Sequence, residues 1–433
     1  MSTIAEVRLW GRTIGAVSLE EGDDVAAFEY DPAFARSGIE ISPLTMPLSN
    51  DVYTFPGLSR RTFYGLPGLL ADSLPDKFGN VLIDAWLATQ GRQPESFNAV
   101  ERLCYTGERG MGALEFMPPI GPKARQASQI QIDKLVELAS EVLTHRNDLR
   151  VSFADESRER ALTDILRVGT SAGGARAKAV IAWNPSTNEV RSGQVPSAAG
   201  FEYWLLKFDG VRGNKDKELE DPQGYGVIEY AYYKMARDCG IDISECRLFE
   251  ENGRRHFMTR RFDRLADGSK LHMQSLCALA HYDFNMAGAY AYEQALLVLR
   301  QLELPMSQIE EQFRRMVFNI VARNQDDHVK NIALLMDKSG KWSLSPAFDM
   351  TYSFNPAGAW TASHQMSMNG KRDDFTLDDF KACARAASMK RGRAEAIVGE
   401  VREVVSRWSA YAEEAGVPAA WREKIQHALR LKE

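Results

Sequence analysis

The stretch NQDDHVKNIALLMDKSGKWSLSPAFDM, Asn324 to Met350, holds the pattern that decides the fold. Its first eight residues contain two aspartates, a histidine and two asparagines, and a further aspartate, Asp349, stands near its end. Between them, IALLM and KWSL predict two short strands around a turn from Asp337 to Gly340. Because a hairpin returns the chain to its starting point, we expect Asp349 to lie near Asn331.

The residues before this stretch, QFRRMVFNIVARN, predict a helix with one buried face. Its apolar residues follow the i, i+3, i+4, i+7, i+8 spacing of such a face: Phe313, Met316, Val317, Ile320 and Val321. We expect this helix to end at Asn324. We therefore expect Asp326, His328 and Asn331 in a loop just beyond a firmly packed element.

This combination of residue types is typical of phosphoryl transfer. One carboxylate accepts or orients the proton of the acceptor hydroxyl, while an amide oxygen and a second carboxylate hold Mg²⁺ on the nucleotide phosphates. Kinase catalytic loops place the base five residues before the asparagine, as Asp326 and Asn331 are placed here. Phe348 and Asp349 resemble the later kinase Phe/Asp element only loosely. The alternative is an acidic turn whose aspartates accept hydrogen bonds from backbone amides.

A glycine-rich segment, GTSAGGARAKA, runs from Gly169 to Ala179. Gly173 and Gly174 permit close backbone approach and leave amides that can bind phosphate oxygens. The segment is not a Walker A loop, because Ala175 stands where the lysine belongs, and it is not GxGxxG either. A plain turn is the alternative interpretation.

Lys207 stands inside the apolar strand WLLKF. A buried lysine is costly unless it is paired, and its partners here would be nucleotide phosphates and Glu229 of the next helix. Alternatively, Lys207 extends from an edge strand into solvent and Glu229 lies on a solvated helix face. The order of the parts, from glycine loop through strand lysine and helix glutamate to the Asp/Asn loop and the last aspartate, is that of a two-lobed kinase.

Length and composition limit the classes of protein. A chain of 433 residues predicts two or three units, and its net charge of −6 argues against a generic nucleic-acid binder. The five cysteines are dispersed without a CxxC, which is typical of reduced thiols, and no apolar run approaches the roughly 18 residues of a membrane span. We expect a cytoplasmic protein.

The chain resembles the HipA family of bacterial toxin–antitoxin serine/threonine kinases. The resemblance covers nearly the whole chain and rests on the motifs VRLWGRTIGAV, LADSLPDKFGN, GMGALEF, GTSAGGARAKA, WLLKF, EYAYYKMARDCGI, TRRFDR, NQDDHVKN and SPAFDMTYS. It implies an α+β fold with a β-rich N-terminal subdomain (residues 1–125) and a two-lobed kinase-like core related to the phosphoinositide kinases. The N-lobe would take residues 126–257, and the mainly helical C-lobe residues 258–433.

The resemblance also implies roles for single residues. Lys207 would bind ATP phosphates, Asp326 would be the catalytic base, and Asn331 and Asp349 would bind Mg²⁺. His328 would support the geometry of their loop. The strand residues Met258, Thr259 and Arg260 would meet adenine through their backbone. Ser171 would be autophosphorylated, with Thr170 as the alternative, and the added phosphate would switch the kinase off.

Family toxins phosphorylate an aminoacyl-tRNA synthetase and pair with a small helix-turn-helix antitoxin of the HipB kind, and the complex represses its own operon. The resemblance thus implies ATP and Mg²⁺ as cofactors and contact with operator DNA through the antitoxin. The cluster MKRGR, ending at Arg393, would touch DNA phosphates in such a complex, or is a solvated face. Two alternative functions are a kinase-like corepressor without chemistry and a metal-dependent phosphohydrolase built on the Asp-Asp-His run.

Overall fold

The computed structural model describes residues 2–121, 130–144, 165–166, 176–194, 199–211, 224–265 and 267–431. The chain divides into two compact units. The first comprises Met1–Lys217, Phe249–Gln274 and Leu335–Lys341, and the second comprises Glu218–Leu248, Ser275–Leu334 and Trp342–Glu433. The predicted division into three consecutive parts stays a prediction.

The first unit begins with an antiparallel sheet of five strands in the order β4-β3-β2-β1-β5. Its strands are β1 (Thr3–Leu9), β2 (Arg12–Leu19), β3 (Ala27–Tyr30), β4 (Val52–Thr54) and β5 (Leu114–Met117). In β1 every second side chain is buried, as the alternation of apolar and polar residues predicts: Ala5, Val7 and Leu9. Trp10 and Gly11 make the first turn with positive φ angles.

The helices of this unit are mostly short. They are α1 (Arg60–Phe63), α2 (Gly68–Ala71), α3 (Lys77–Thr89), α4 (Ala99–Thr106) and α5 (Ile132–Thr144), with a 3₁₀ turn at Pro94–Ser96. The side chain of Asp76 caps α3 by accepting a 2.6 Å hydrogen bond from the Gly79 amide. Aspartate is one of the residues that most often cap a helix in this way.

A second five-stranded sheet has the order β7-β6-β8-β10-β9. Its strands are β6 (Lys178–Asn184), β7 (Glu189–Ser192), β8 (Glu202–Lys207), β9 (Cys246–Glu251) and β10 (Arg254–Arg260). One face supplies alternate residues to an apolar core that also contains residues of α3 and α5: Ala179, Ile181, Trp204, Leu206 and Met258. The opposite face of β8 therefore carries Leu205 and Lys207.

A buried charged cluster joins the motifs GMGALEF and TRRFDR inside the first unit. Asp263 accepts hydrogen bonds from the Gly112 amide (2.7 Å), from Arg261 (2.7 and 2.9 Å) and from Arg264 (2.7 Å). The two guanidinium groups also donate to the carbonyl of Gly110. Burial would raise the pKa of Asp263, but the two arginines hold it well below its usual range. The cluster fastens the loop before β5 to the segment after β10.

The second unit is mainly helical. Its helices are α6 (Tyr225–Asp238), α7 (Leu276–Ala280), α8 (Tyr292–Gln301), α9 (Met306–Val321), α10 (Leu377–Ala386), α11 (Arg393–Ser406), α12 (Trp408–Ala415) and α13 (Ala419–Ala428). Three short strands lie where the chain passes from one unit to the other: β11 (His272–Ser275), β12 (Ala333–Met336) and β13 (Trp342–Leu344). Among the described residues, no helix is long and apolar enough to cross a bilayer.

All five cysteines are buried and form no disulfide. Burial raises the pKa of Cys104 to about 11 and that of Cys239 to about 12. Both thiols are therefore protonated at neutral pH.

Candidate functional site

The candidate site begins where α9 ends. The predicted apolar stripe of this helix is confirmed, because its members are buried: Phe313, Met316, Val317, Ile320 and Val321. Arg323 then takes a positive φ of 59°, and the Asn324 side chain donates to Asn319 Oδ1 (2.9 Å) and to the carbonyl of Asp349 (3.4 Å). These bonds hold the start of the loop against the segment that carries Asp349.

Asp327 is the buried member of the aspartate pair. Its carboxylate accepts hydrogen bonds from the Tyr292 hydroxyl (2.6 Å), from His364 Nδ1 (2.8 Å) and from the Gln365 amide (2.8 Å). Burial would raise its pKa, but His364, Tyr292 and the Gln365 amide hold that pKa below its ordinary value. With three donors and no exposed surface on its side chain, Asp327 anchors the loop.

Asp326 is the open member of the pair, since 42 % of its side-chain surface is exposed. Its Oδ1 accepts a 2.7 Å hydrogen bond from Trp360 Nε1, and His328 Nε2 lies 3.8 Å from the same oxygen. Desolvation raises the pKa of Asp326 and the carboxylates of Asp349 and Asp327 add to the rise, while His328 and Trp360 oppose it. A carboxylate with a raised pKa is a better proton acceptor.

Asn331 and Asp349 line the same small cavity of the second unit. The side-chain nitrogen of Asn331 donates to the backbone carbonyl of Asp326 at 2.9 Å. The other polar atom of this side chain is its amide oxygen. Asp349 takes a φ of 52°, a backbone conformation that aspartate tolerates better than most residues. The structure thus brings together Asn331 and Asp349, as the hairpin in the sequence predicts.

The cavity has the properties expected of a site for Mg²⁺. Its volume is about 20 Å³, room for about one water-sized group. Asn324 Oδ1 and Gln312 Oε1, from two residues that also line it, are buried and have no hydrogen-bond partner among the described residues. Magnesium prefers oxygen ligands and takes only one or two carboxylates beside substrate phosphates. The described residues hold no cluster of three His, Cys, Asp or Glu side chains that would form an all-protein metal site.

An aromatic side chain supports the loop from another direction. The ring of Phe284 lies 5.4 Å from the ring of His328, and the Lys330 ammonium lies 5.2 Å from its centroid. A cation over an aromatic face is attracted to it by the ring quadrupole. Phe284 therefore contacts two residues of the NQDDHVKN motif.

In the first unit, Lys207 lies at the end of β8 and is 8 % exposed. It pairs directly with Lys178 of β6 and with Phe257 of β10, whose ring centroid is 5.7 Å from the Lys207 ammonium. Lys178 is also buried, with its ammonium 3.6 Å from the Asp76 carboxylate. Lys207 is therefore not a solvated edge residue, and a second lysine stands beside it.

The strand residues predicted to meet adenine differ in their surroundings. The side chain of Met258 is buried in the core, Thr259 is half-buried, and Arg260 is exposed, 3.8 Å from Glu202. The adenine contact stays a prediction.

Glu229 on α6 is buried, so the alternative of a solvated helix face is wrong. Its predicted pairing with Lys207 joins residues of different units and stays a prediction. Thr170, Ser171, Gly173 and Gly174 lie outside the described residues.

Sequence reasoning missed the residues that hold the aspartate pair: Tyr292, Trp360, His364 and Gln365. They lie 34 to 38 residues from Asp326 and Asp327 along the chain. No local spacing connects such positions. The only available signal was a histidine, His364, in a polar segment. The sequence alone shows neither that this histidine is buried nor which residue it contacts.

Known protein families match both parts of the chain. Residues 5–117 match the model of the HipA N-terminal domain, and residues 170–408 match the model of the HipA-like C-terminal domain. The described α+β architecture agrees with the expectation from sequence, and it is also found in a solved complex. That complex contains Shewanella oneidensis MR-1 HipA, HipB and operator DNA. Its matching chain has a TM-score of 0.67 and 16 % identity, over 98 % of this chain and 96 % of that chain.

The curated relatives match only part of the chain. The Sinorhizobium fredii protein named "Putative kinase Y4dM" is 26 % identical over 233 residues, which cover 49 % of this chain and 55 % of that protein. A Haemophilus influenzae protein named "Putative kinase" is 26 % identical over 159 residues, 33 % of this chain and 46 % of its own length. The chain thus spans about half the length of the curated relatives it matches. Because one family model alone covers more than half of its 433 residues, the chain belongs to the HipA family.

Proposed function

We propose that the protein is an ATP- and Mg²⁺-dependent serine/threonine protein kinase that acts as the toxin of a toxin–antitoxin pair. The observation that carries this proposal is the division of labour in the NQDDHVKN loop. Asp327 is buried and fully hydrogen-bonded, whereas Asp326 is open with a raised pKa. Beside them, Asn331 and Asp349 line one small cavity, whose lining also includes Arg315 and apolar side chains.

In this proposal Asp326 is the residue that accepts or orients the proton of the acceptor hydroxyl. Bound Mg²⁺–ATP would supply the transferable phosphoryl group, with the metal neutralising its charge. Asn331 and Asp349 would hold the metal through one amide oxygen and one carboxylate. His328 lies near Asp326 Oδ1 and favours the charged carboxylate. Asp327 is not assigned this role, because its carboxylate already accepts hydrogen bonds from Tyr292, His364 and the Gln365 amide.

The nucleotide phosphates would lie against Lys207, a buried cation at the end of β8, as the resemblance to the family implies. Gly173 and Gly174 would contribute backbone amides, and Glu229 would orient the lysine. Self-phosphorylation would occur on Ser171, or on Thr170 beside it. These roles of Thr170, Ser171, Gly173 and Gly174 are assigned by resemblance to the family.

Family membership supports a proposal for the partner and for the substrate. We propose a HipB-like helix-turn-helix antitoxin, with operator DNA contacted through that complex, because the matching Shewanella chain was solved with HipB and operator DNA. The protein substrate would be an aminoacyl-tRNA synthetase. The basic cluster at 390–393 is a weak candidate for DNA contact, since Arg393 is already ion-paired with Glu310 at 2.9 Å.

The decisive experiment replaces Asp326 by asparagine. Dephosphorylated protein is incubated with [γ-³²P]ATP and Mg²⁺, and label is counted on the protein itself and on dephosphorylated casein. We expect Asp326→Asn to lower the transfer rate by roughly 10²- to 10⁴-fold, the contribution of a positioned base. Mass spectrometry of the labelled parent should place the phosphate on Ser171.

The matched control is Asp378→Asn, an aspartate of the second unit whose side chain is 90 % exposed. It should transfer phosphate at the parent rate. A parent protein that labels neither itself, casein nor any protein of a cell extract would favour the alternative function, a kinase-like corepressor that acts only through its antitoxin. An Asp326→Asn variant as fast as the parent would refute the role of the base.

A further inference from the structure

The segment after Asp349 is fastened to the catalytic loop by several hydrogen bonds. Trp360 Nε1 donates to Asp326 Oδ1, and His364 and the Gln365 amide donate to Asp327. The Gln365 side chain also donates to the carbonyl of Gln325 at 3.4 Å and to that of Trp360. Every link of this contact lies within the second unit.

The loop that carries Trp360 is also closed on itself. The Asn355 amide donates to the Thr361 carbonyl at 3.2 Å, and the Gly358 amide donates to the Asn355 carbonyl at 3.0 Å. The Asn355 side chain accepts from the Ala357 amide at 3.1 Å. Trp360 is thus carried on a closed loop, and its own backbone carbonyl accepts a hydrogen bond from Gln365. A backbone fixed in this way limits the positions from which the side chain can donate its N–H.

The geometry at Asp326 gives its two carboxylate oxygens different surroundings. Oδ1 faces the Trp360 indole N–H at 2.7 Å and His328 Nε2 at 3.8 Å. Among the residues that the structure describes, none donates a hydrogen bond to Oδ2, and the side chain is 42 % exposed. A carboxylate fixed through one oxygen presents the other in a single orientation, which is the requirement for a catalytic base.

We propose that Trp360 is a positioning residue: its indole N–H fixes Asp326 so that Oδ2 faces the acceptor hydroxyl. This inference rests on the proposed kinase function and adds to it a residue that the kinase motifs do not contain. Trp360 touches neither nucleotide nor acceptor in this scheme. Its effect passes through Asp326 alone.

The test is a double-mutant cycle on phosphate transfer from [γ-³²P]ATP to dephosphorylated casein. Trp360→Phe keeps an aromatic ring and removes the N–H. We expect kcat to fall about 10- to 100-fold, the effect of losing a hydrogen bond to a charged group, with the KM for ATP within twofold of the parent. In an Asp326→Ala background, Trp360→Phe should cause no further loss, because the group through which it acts is absent.

Trp421→Phe is the matched control. Trp421 lies on α13 with its ring 6.4 Å from that of Tyr352, and this variant should keep the parent kcat. Three results would overturn the inference: an unchanged or increased kcat in Trp360→Phe, an equal loss in both backgrounds, or a loss confined to the KM for ATP. If the parent itself transfers no phosphate, the proposed function fails and the positioning role fails with it.

A second measurement does not depend on activity. The chain has eight tryptophans, so a spectrum of ¹⁵N-tryptophan-labelled protein contains up to eight indole N–H signals, and the signal lost in Trp360→Phe identifies Trp360. That signal should move in Asp326→Ala and stay in place in Asp378→Ala. A signal that stays in place in both variants would show that the indole does not contact Asp326 and would overturn the inference.

Discussion

The two adjacent aspartates of the NQDDHVKN loop show how one position along the chain changes the role of a side chain. Asp326 is open and has one strong donor on Oδ1, while Asp327 is buried and accepts from three groups. The spacing of five residues to Asn331 selects Asp326 as the predicted base, but the sequence does not show what surrounds either carboxylate. Their difference comes from Tyr292, His364 and Gln365, which only the tertiary fold brings to Asp327.

Asp327→Asn tests this difference at the scale of one residue. Asparagine offers one acceptor oxygen where the carboxylate offers two, and its NH₂ group would meet a donor. We expect the free energy of unfolding to fall by about 2–4 kcal/mol, the range for buried donors left unsatisfied. The measurement is urea unfolding followed by circular dichroism.

Asp326→Asn serves as the comparison, because its side chain is partly exposed. It should change the free energy of unfolding by less than about 1 kcal/mol. Equal losses of stability in the two variants would contradict the assignment of Asp327 as the anchor and Asp326 as the open residue.

At the scale of elements, local patterns predict most of the helices and strands. The apolar spacing of α9, the Pro-Asp start of α3 and the alternation of β1 each depend on residues within one element. Glu229 shows the limit of such patterns. It stands on α6, a helix buried on nearly all sides, whereas its polar character predicts exposure. Periodicity within a helix cannot reveal how many neighbours surround it.

The cluster around Asp263 joins two motifs that lie about 150 residues apart along the chain. Gly112, which donates to Asp263, has a φ of +74°, and a Cβ there would lie 2.8 Å from the Met273 amide nitrogen. The close approach between the backbone at position 112 and Met273 therefore requires glycine. This packing explains why the resemblance includes GMGALEF and TRRFDR, although neither motif contains a proposed catalytic residue.

Asp263→Ala should destabilise the first unit strongly. It would leave Arg261 and Arg264 buried without their shared carboxylate, and breaking a buried ion pair in this way costs about 3–5 kcal/mol. Urea unfolding measures the loss, with the exposed Asp51→Asn of the same unit as the control. A loss below about 1 kcal/mol would show that the cluster is not required for stability.

At the scale of the whole molecule, buried histidines set the response of stability to acid. Burial lowers the pKa of His256 to about 4, that of His272 to about 3 and that of His281 to about 4. The unfolded chain takes up these protons near pH 6.5, well before the folded protein does. The stability that these histidines contribute is therefore present above pH 6.5 and is lost as the pH falls below it.

His272, which is fully buried, allows this response to be measured. Between pH 7.5 and 5.5 it should contribute a decrease of about 1.4 kcal/mol in the free energy of unfolding. Unfolding curves at the two pH values should therefore differ by about that much less in His272→Gln than in the parent. The exposed His427→Gln is the control and should keep the parent difference. The same pH response in His272→Gln and the parent would contradict the lowered pKa.

The burial of all five native thiols makes this chain convenient for spectroscopic labelling. Maleimide reagents react with accessible thiolates, and these side chains are shielded from solvent. A single cysteine introduced on the surface would consequently be the preferred attachment point for a fluorophore or spin label. Distances between the two units could then be followed in solution without first removing any natural sulfhydryl.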